Sequence, residues 1–247
     1  MFMKSVAVGI LALFAAAFSA NAGEQIRFGI ETSYPPFSDI SPEGKIIGFD
    51  ADIAHALCAR LRAECVLVQS DWDALIPGLN ANAFDAIIAS VSITEERKKL
   101  VEFTNPYYSN KLQFVADKNE KFDASRLAGK TLGAQEGTIA AFWLQDHDKG
   151  VEIKLYGTQR EAHAALSAGK LDAVLADIFV NWAWLATPAG NRFEPKGKPV
   201  LDHDKIAIAL KKGDNELRKK LNGALQAIID DREYQSINDR YFPFSIR

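Results

Sequence analysis

The chain has 247 residues, 48% of them hydrophobic and 25% charged, with a formal net charge of −3. That balance excludes a disordered chain, and without an excess of Lys and Arg it also excludes a nucleic-acid-binding surface built on basic charge. The length suits one large domain or two smaller lobes.

The first residues differ from the rest. Lys4 precedes an apolar run from Val6 to Phe18, and Ala20-Asn21-Ala22 supplies a small-x-small cleavage site before Gly23. This predicts a secretory signal peptide over residues 1–22, too short to cross a membrane. No later apolar stretch is long enough for a span, so the mature chain is expected to be soluble and to act outside the cytoplasm.

After the signal, Ile26 to Ile30 reads as a buried strand entering a loop, Glu31 to Phe37. A helix runs from Asp50 or Ala51 to Arg62, with Ile53, Ala54, Leu57 and Leu61 on one face and Asp50 and Asp52 near its positive end. Cys65 to Val68 reads as a strand. Trp72 to Asn80 reads as a helix interrupted around Pro77-Gly78, and Phe84 to Ala89 as a strand. Thr94 caps a helix that carries Arg97. Strands over 111–116, 131–134 and 151–156 then alternate with helices over 139–145 and 159–168, the latter closed by Gly169. Ala173 to Ala176 is a strand with Asp177 at its carboxyl end, followed by a helix over 178–185. Ile206 to Leu210 is a strand, and helices over 215–230 and 232–241 close the chain.

Such alternation argues for an α/β fold with largely parallel sheets. No Gly/Ser or Pro-rich linker divides it, so two lobes would be joined by strand-like crossings, before Lys111 and around Asp204. That places lobe 1 at 23–110 and 205–247, lobe 2 at 111–204, and a ligand cleft between them.

Common catalytic motifs are missing: there is no G-x-S-x-G, H-E-x-x-H, Walker loop or G-x-G-x-x-G. His55, His147, His163 and His203 show no metal spacing; His55 and His163, inside helices, read as packing residues and the other two as loop residues. The only cysteines are Cys58 and Cys65. In an exported chain they are expected to form a disulfide, with two buried free thiols the competing reading, and they make a poor zinc site. What remains is a set of polar residues at strand ends, where open α/β sheets bind ligands: Glu31, Ser90, Thr138 and Asp177. Each alone reads equally as a helix cap or loop residue.

The stretches E31-T-S-Y-P-P-F37, G48-F-D-A-D-I53, W72-D-A-L-I-P77, F84-D-A-I-I-A-S-V-S-I-T-E-E-R97 and F103-T-N-P-Y-Y108, with G137-T138, G169-K-L-D-A173 and D214-N-E-L217, carry a resemblance over nearly all of the mature chain. It resembles the periplasmic solute-binding proteins of ABC importers for polar amino acids, in the lysine/arginine/ornithine-, histidine- and arginine-binding branch. The resemblance implies a two-lobed fold, each lobe a mostly parallel sheet flanked by helices, that closes by hinge motion. It implies a monomer, no cofactor, no metal and no catalytic residue, with a small-molecule basic amino acid and an inner-membrane ABC permease as partners. It assigns Arg97, by a bidentate fork, and the Thr138 loop, by backbone amides, to the ligand α-carboxylate. Ser90 and Ser92, with Val91 between them, are assigned to the α-amino and α-carboxylate groups, and Asp177 to the α-ammonium. Glu31 reads the ligand side chain, Tyr34 and Trp72 wall it, and Gln135 adds a hydrogen bond. A buried Glu31 facing a neutral ligand would cost on the order of 3 kcal/mol, so a positive side chain is expected: arginine first, then ornithine, lysine or histidine. Two alternatives are carried forward. One is an opine-binding receptor; the other is a periplasmic enzyme resembling the cyclohexadienyl dehydratases, which use a cleft carboxylate as general acid.

Overall fold

The computed structural model describes residues 24–147 and 150–247; the signal peptide expected over 1–22 lies outside them. In chain order the elements are β1 (Gln25–Ile30), β2 (Asp39–Ile40), β3 (Ile46–Ile47), α1 (Phe49–Leu61), β4 (Glu64–Gln69), α2 (Leu75–Asn80), β5 (Ala86–Ile87), α3 (Glu95–Leu100), β6 (Val101–Phe103) and β7 (Tyr108–Asp117). They continue with β8 (Thr131–Gln135), α4 (Ile139–Asp146), β9 (Glu152–Tyr156), α5 (Gln159–Ser167), β10 (Ala173–Asp177), α6 (Ile178–Leu185), β11 (Phe193–Ile206), β12 (Ala209–Lys211), α7 (Asn215–Asp230) and α8 (Glu233–Tyr241).

Two five-stranded sheets form two lobes, with orders β4-β1-β5-β12-β6 and β11-β7-β10-β8-β9. The chain leaves the first sheet through β7 and returns through β11. The two run antiparallel, with Tyr108 opposite Ile206, Ser109 opposite Lys205 and Asn110 opposite Asp204.

The sheets are mixed rather than mostly parallel. Pairs β1–β4, β1–β5, β8–β10 and β8–β9 are parallel. Pairs involving β6, β7, β11 and β12 are antiparallel. Those four strands flank the two crossings, and a chain that leaves one lobe and later returns must run its exit and return strands in opposite directions.

Two other local expectations are corrected. Trp72–Ala74 is a 3-10 turn that runs into α2, so the break falls before Pro77 rather than at it. Pro77 sits in the first turn of α2, where a missing N–H leaves no helix bond unmade. β11 is a long strand where a polar, proline-containing stretch gave no strand signal.

The larger core fills the first lobe, with Phe28, Phe37, Phe49, Tyr107, Tyr108 and Phe242 fully buried. Phe179 of α6 reaches from the second lobe onto it, 6.4 Å from Phe37 and 5.5 Å from Phe242 between ring centroids. The second sheet is covered on one face by α4 and on the other by α5.

The expected disulfide is not formed: Cys58, buried in α1, and Cys65, in β4, are free thiols. Their side chains nonetheless lie close enough to shift each other's titration. Interaction with Cys58, and then with His55, lowers the Cys65 thiol against the effect of burial. A thiolate in contact with a second thiol is set for oxidation. Air-oxidised protein is therefore expected to show no free thiol after denaturation, and dithiothreitol to lower its melting temperature by about 5–10 °C, from about 2.5 kcal/mol of loop closure. Two titratable thiols after oxidation would remove the bridge from consideration.

Candidate functional site

Residues from both lobes converge on one cavity of about 290 Å³. From the first lobe come Glu31 and Tyr34 after β1, Trp72 after β4, Ala89, Ser90 and Ser92 after β5, and Arg97 of α3. From the second come Gln135 at the end of β8, Thr138 and Ile139 at the start of α4, and Asp177 at the end of β10. Nine of the ten expected ligand-binding residues thus line one space. Val91 does not. It packs in the core with Leu75, Leu79 and Phe84, and its carbonyl accepts from the Ala207 N–H at 3.1 Å.

Arg97 is buried and, among the described residues, the only cationic side chain lining the cavity. Its Nη1 donates to the Ser92 carbonyl at 3.0 Å and its Nη2 to the Gly137 carbonyl across the cleft at 3.1 Å. A guanidinium carries five N–H donors, so several remain for a carboxylate. Trp72 lies 5.1 Å from the guanidinium, a cation–π arrangement. Gly137 allows this closeness: its φ is +69°, and a Cβ there would sit 3.2 Å from the Trp72 indole nitrogen. Thr138 is the N-cap of α4. Its hydroxyl accepts from the Ala141 N–H at 3.3 Å and donates to the Gln135 carbonyl at 2.7 Å. With that side chain engaged, the backbone amides of the turn are what α4 offers an anion.

Buried acids line the same cavity. Asp177 is the N-cap residue of α6, yet its side chain makes no cap hydrogen bond. Its carboxyl faces the cavity instead. Burial, then the charge of Asp204, pushes it up to about 7, while the Tyr34 hydroxyl, the Asn110 amide and Arg97 pull it back. Ser90 has a left-handed backbone, φ 53°, which costs energy outside glycine. Asp50 holds it there: its Oδ2 accepts from the Ser90 N–H at 2.8 Å and hydroxyl at 3.1 Å, and its Oδ1 from the Tyr107 hydroxyl at 2.7 Å. Asp50 was expected only as an acid at a helix start. The signal for its second role lay in the G48-F-D50 motif.

Glu31, 5% exposed, is the other of these acids. Its Oε1 accepts from Gln135 Nε2 at 2.6 Å, and the same nitrogen donates to the Gly157 carbonyl at 3.2 Å. Gln135 Oε1 is buried without a partner. Both Gln135 N–H donors are therefore committed, and the pair offers acceptors only. Burial pushes the Glu31 carboxyl up to about 7, against the Gln135 bond, with the Asp71 charge adding to the rise.

The histidines stay outside. His163 is buried against Asn181 at 2.9 Å, with its pKa pushed down to about 4 by burial; His203 pairs with Asp202 on the surface. Among the described residues no group of His, Cys, Asp and Glu could hold a metal ion.

A cavity between two lobes, lined by the cation Arg97 and the acids Glu31 and Asp177, is the arrangement of a binding protein. Residues 26–244 match the model of the bacterial extracellular solute-binding proteins, family 3, and the chain belongs to that family. It is 38% identical to the L-arginine-binding protein of Pseudomonas aeruginosa over 99% of this chain and 98% of that one. It is also 38% identical to ABC transporter arginine-binding protein 1 of Escherichia coli, over 97% and 99%. An ancestral arginine-binding protein bound to arginine superposes with a TM-score of 0.85 at 32% identity, covering 90% of this chain and 99% of that structure.

Proposed function

We propose that this protein is an exported, monomeric, periplasmic receptor that captures a basic L-amino acid, arginine in preference to ornithine, lysine or histidine. It delivers the ligand to an inner-membrane ABC permease. The lobes divide at 110/111 and 204/205, on the paired crossing strands. The observation that carries the reading is that one cavity is lined by a single cation among the described residues, Arg97, together with the acids Asp177 and Glu31, the latter paired with Gln135, whose N–H donors are already committed.

Arg97 and the first turn of α4 receive the α-carboxylate, and Asp177 the α-ammonium. The tail then meets Glu31 Oε2 and Gln135 Oε1. A guanidinium, all donors and planar, fits side-by-side acceptors better than an ammonium. Contacts already spanning the cleft (Glu31 to Gln135, Arg97 to Gly137, Arg160 to Asp39 at 2.7 Å) supply the closed arrangement in which a ligand is enclosed.

A thermal-shift screen of the twenty amino acids with ornithine, citrulline, octopine and nopaline tests this. Arginine at 100 times its Kd should stabilise by about 2.7 kcal/mol, or about 5–10 °C. A larger shift with citrulline or glutamine overturns the basic specificity; a larger shift with an opine replaces it with the opine reading. Product formed from prephenate or arogenate would make the protein an enzyme.

The raised carboxyls give a pH dependence with a definite sign. A cation beside Glu31 and an ammonium beside Asp177 favour the ionised acids, so binding near neutral pH expels protons. Arginine affinity should therefore fall as pH drops from 8 to 5, through the values of about 7 for Glu31 and Asp177. Without ligand the sign is opposite: these groups hold protons longer folded than unfolded, so their contribution to stability declines as pH rises from about 4 to about 7. Calorimetry at pH 7 in two buffers of different ionisation enthalpy should read proton release; proton uptake would contradict the assignment.

A further inference from the structure

Asp204 has no part in the assignments above. The sequence marked it only as near a strand-like crossing between the lobes; it is 6% exposed. It sits on β11 where the two crossing strands pair, opposite Asn110. Its Oδ2 accepts from the Ser92 hydroxyl at 3.0 Å and from Asn110 Nδ2 at 3.2 Å. Backbone bonds hold the same junction together: Ile93 N–H to the Lys205 carbonyl at 2.8 Å and Ala207 N–H to the Val91 carbonyl at 3.1 Å. Asp204 does not line the cavity, but Ser92 does.

A serine hydroxyl has one proton and two lone pairs. With its proton committed to Asp204, the Ser92 oxygen can only accept. An acceptor suits the α-ammonium of an amino acid and is wrong for its α-carboxylate. The carboxylate behind it also strengthens Ser92 as an acceptor, because hydrogen bonds in a chain polarise one another. We propose that Asp204 is a positioning residue that fixes the Ser92 hydroxyl as an acceptor for the ligand α-ammonium, so that Ser92 and Asp177 together select a free α-amino group. The inference rests on the amino-acid reading of the cavity.

Ser92 is the cavity-lining side chain that Asp204 hydrogen-bonds. The Asp204 charge also raises the Asp177 carboxyl, but removing that effect would favour an ionised Asp177 and strengthen ammonium binding, opposite in sign to the loss expected through Ser92. The same charge also favours ionised Arg97, but that effect reaches the α-carboxylate and applies equally to ligands with and without an amino group.

The experiment compares arginine with 5-guanidinopentanoate, its des-amino analogue, by calorimetry. The proteins are the wild type, Asp204→Ala, Ser92→Ala and the double variant. Wild-type protein binding neither compound overturns the amino-acid reading itself and removes the ground for this inference with it. If the wild type binds arginine, Asp204→Ala should weaken arginine by about 10- to 100-fold more than the analogue. Asp204→Ala should also add little to Ser92→Ala. Equal losses for the two ligands, from a damaged fold or from a weakened Arg97, overturn the inference, as do additive losses in the double variant. Should Asp204→Ala fail to fold, Ser92→Ala still decides: unchanged discrimination between arginine and its analogue rules the mechanism out, and lost discrimination supports it.

Discussion

Arg97→Ala is expected to raise the Kd for arginine by about 1,000-fold or more. Among the described residues Arg97 is the only cation lining the cavity, against Glu31 and Asp177 in its walls and Asp204 behind Ser92. Removing one member of a buried, hydrogen-bonded charge set costs about 3–5 kcal/mol, and each 1.4 kcal/mol is tenfold in affinity. The ligand carboxylate would then enter a desolvated space whose remaining charges all repel it. The variant also loses both Arg97 hydrogen bonds, to Ser92 and across the cleft to Gly137, so closure is weakened together with recognition. Arg97→Lys keeps the charge but not the fork, and should recover part of the affinity. Calorimetry on folded protein checks this; binding by Arg97→Ala within tenfold of wild type would place the carboxylate elsewhere.

Glu31→Gln should act on specificity. It removes a charge that burial already strains, while leaving an amide of the same shape beside Gln135. Arginine is expected to lose about 100-fold, the scale of one close buried charge pair. Citrulline, the same length without the charge, should keep its affinity or gain. The ratio of the two affinities is the informative number, since a misplaced loop would weaken both. Equal losses would mean that Glu31 does not face the ligand tail. The pH profile provides an independent check: with Glu31 gone, the proton release on arginine binding should shrink to what Asp177 contributes.

Much of this architecture can be read along the chain, and the exceptions share a cause. Helices α6 and α7 run over the residues that helical spacing predicts, and Thr94 caps α3 as expected, accepting from the Arg97 N–H at 3.1 Å. These depend on contacts a few residues apart. β11 was missed because its residues carry no strand pattern of their own; pairing with β7 makes it a strand. Asp204 was placed at a crossing, but its side-chain role went unread for the same reason, since Asn110, the partner beside it, is 94 residues away. Asp177 was correctly placed at a strand end; that its carboxyl makes no cap bond and lines the cavity is visible only in the tertiary structure.

The order of elements and the family were thus legible in the sequence alone, because periodicity, caps and local motifs are short-range properties. The tertiary structure decided how charges share one desolvated space. Glu31 meets Gln135 across 104 residues of chain, and Arg97 meets Gly137 across 40. Carboxyls spaced along a chain in water titrate near 4; Glu31 and Asp177 reach about 7 only because two lobes close over them and exclude the water that would solvate their charge.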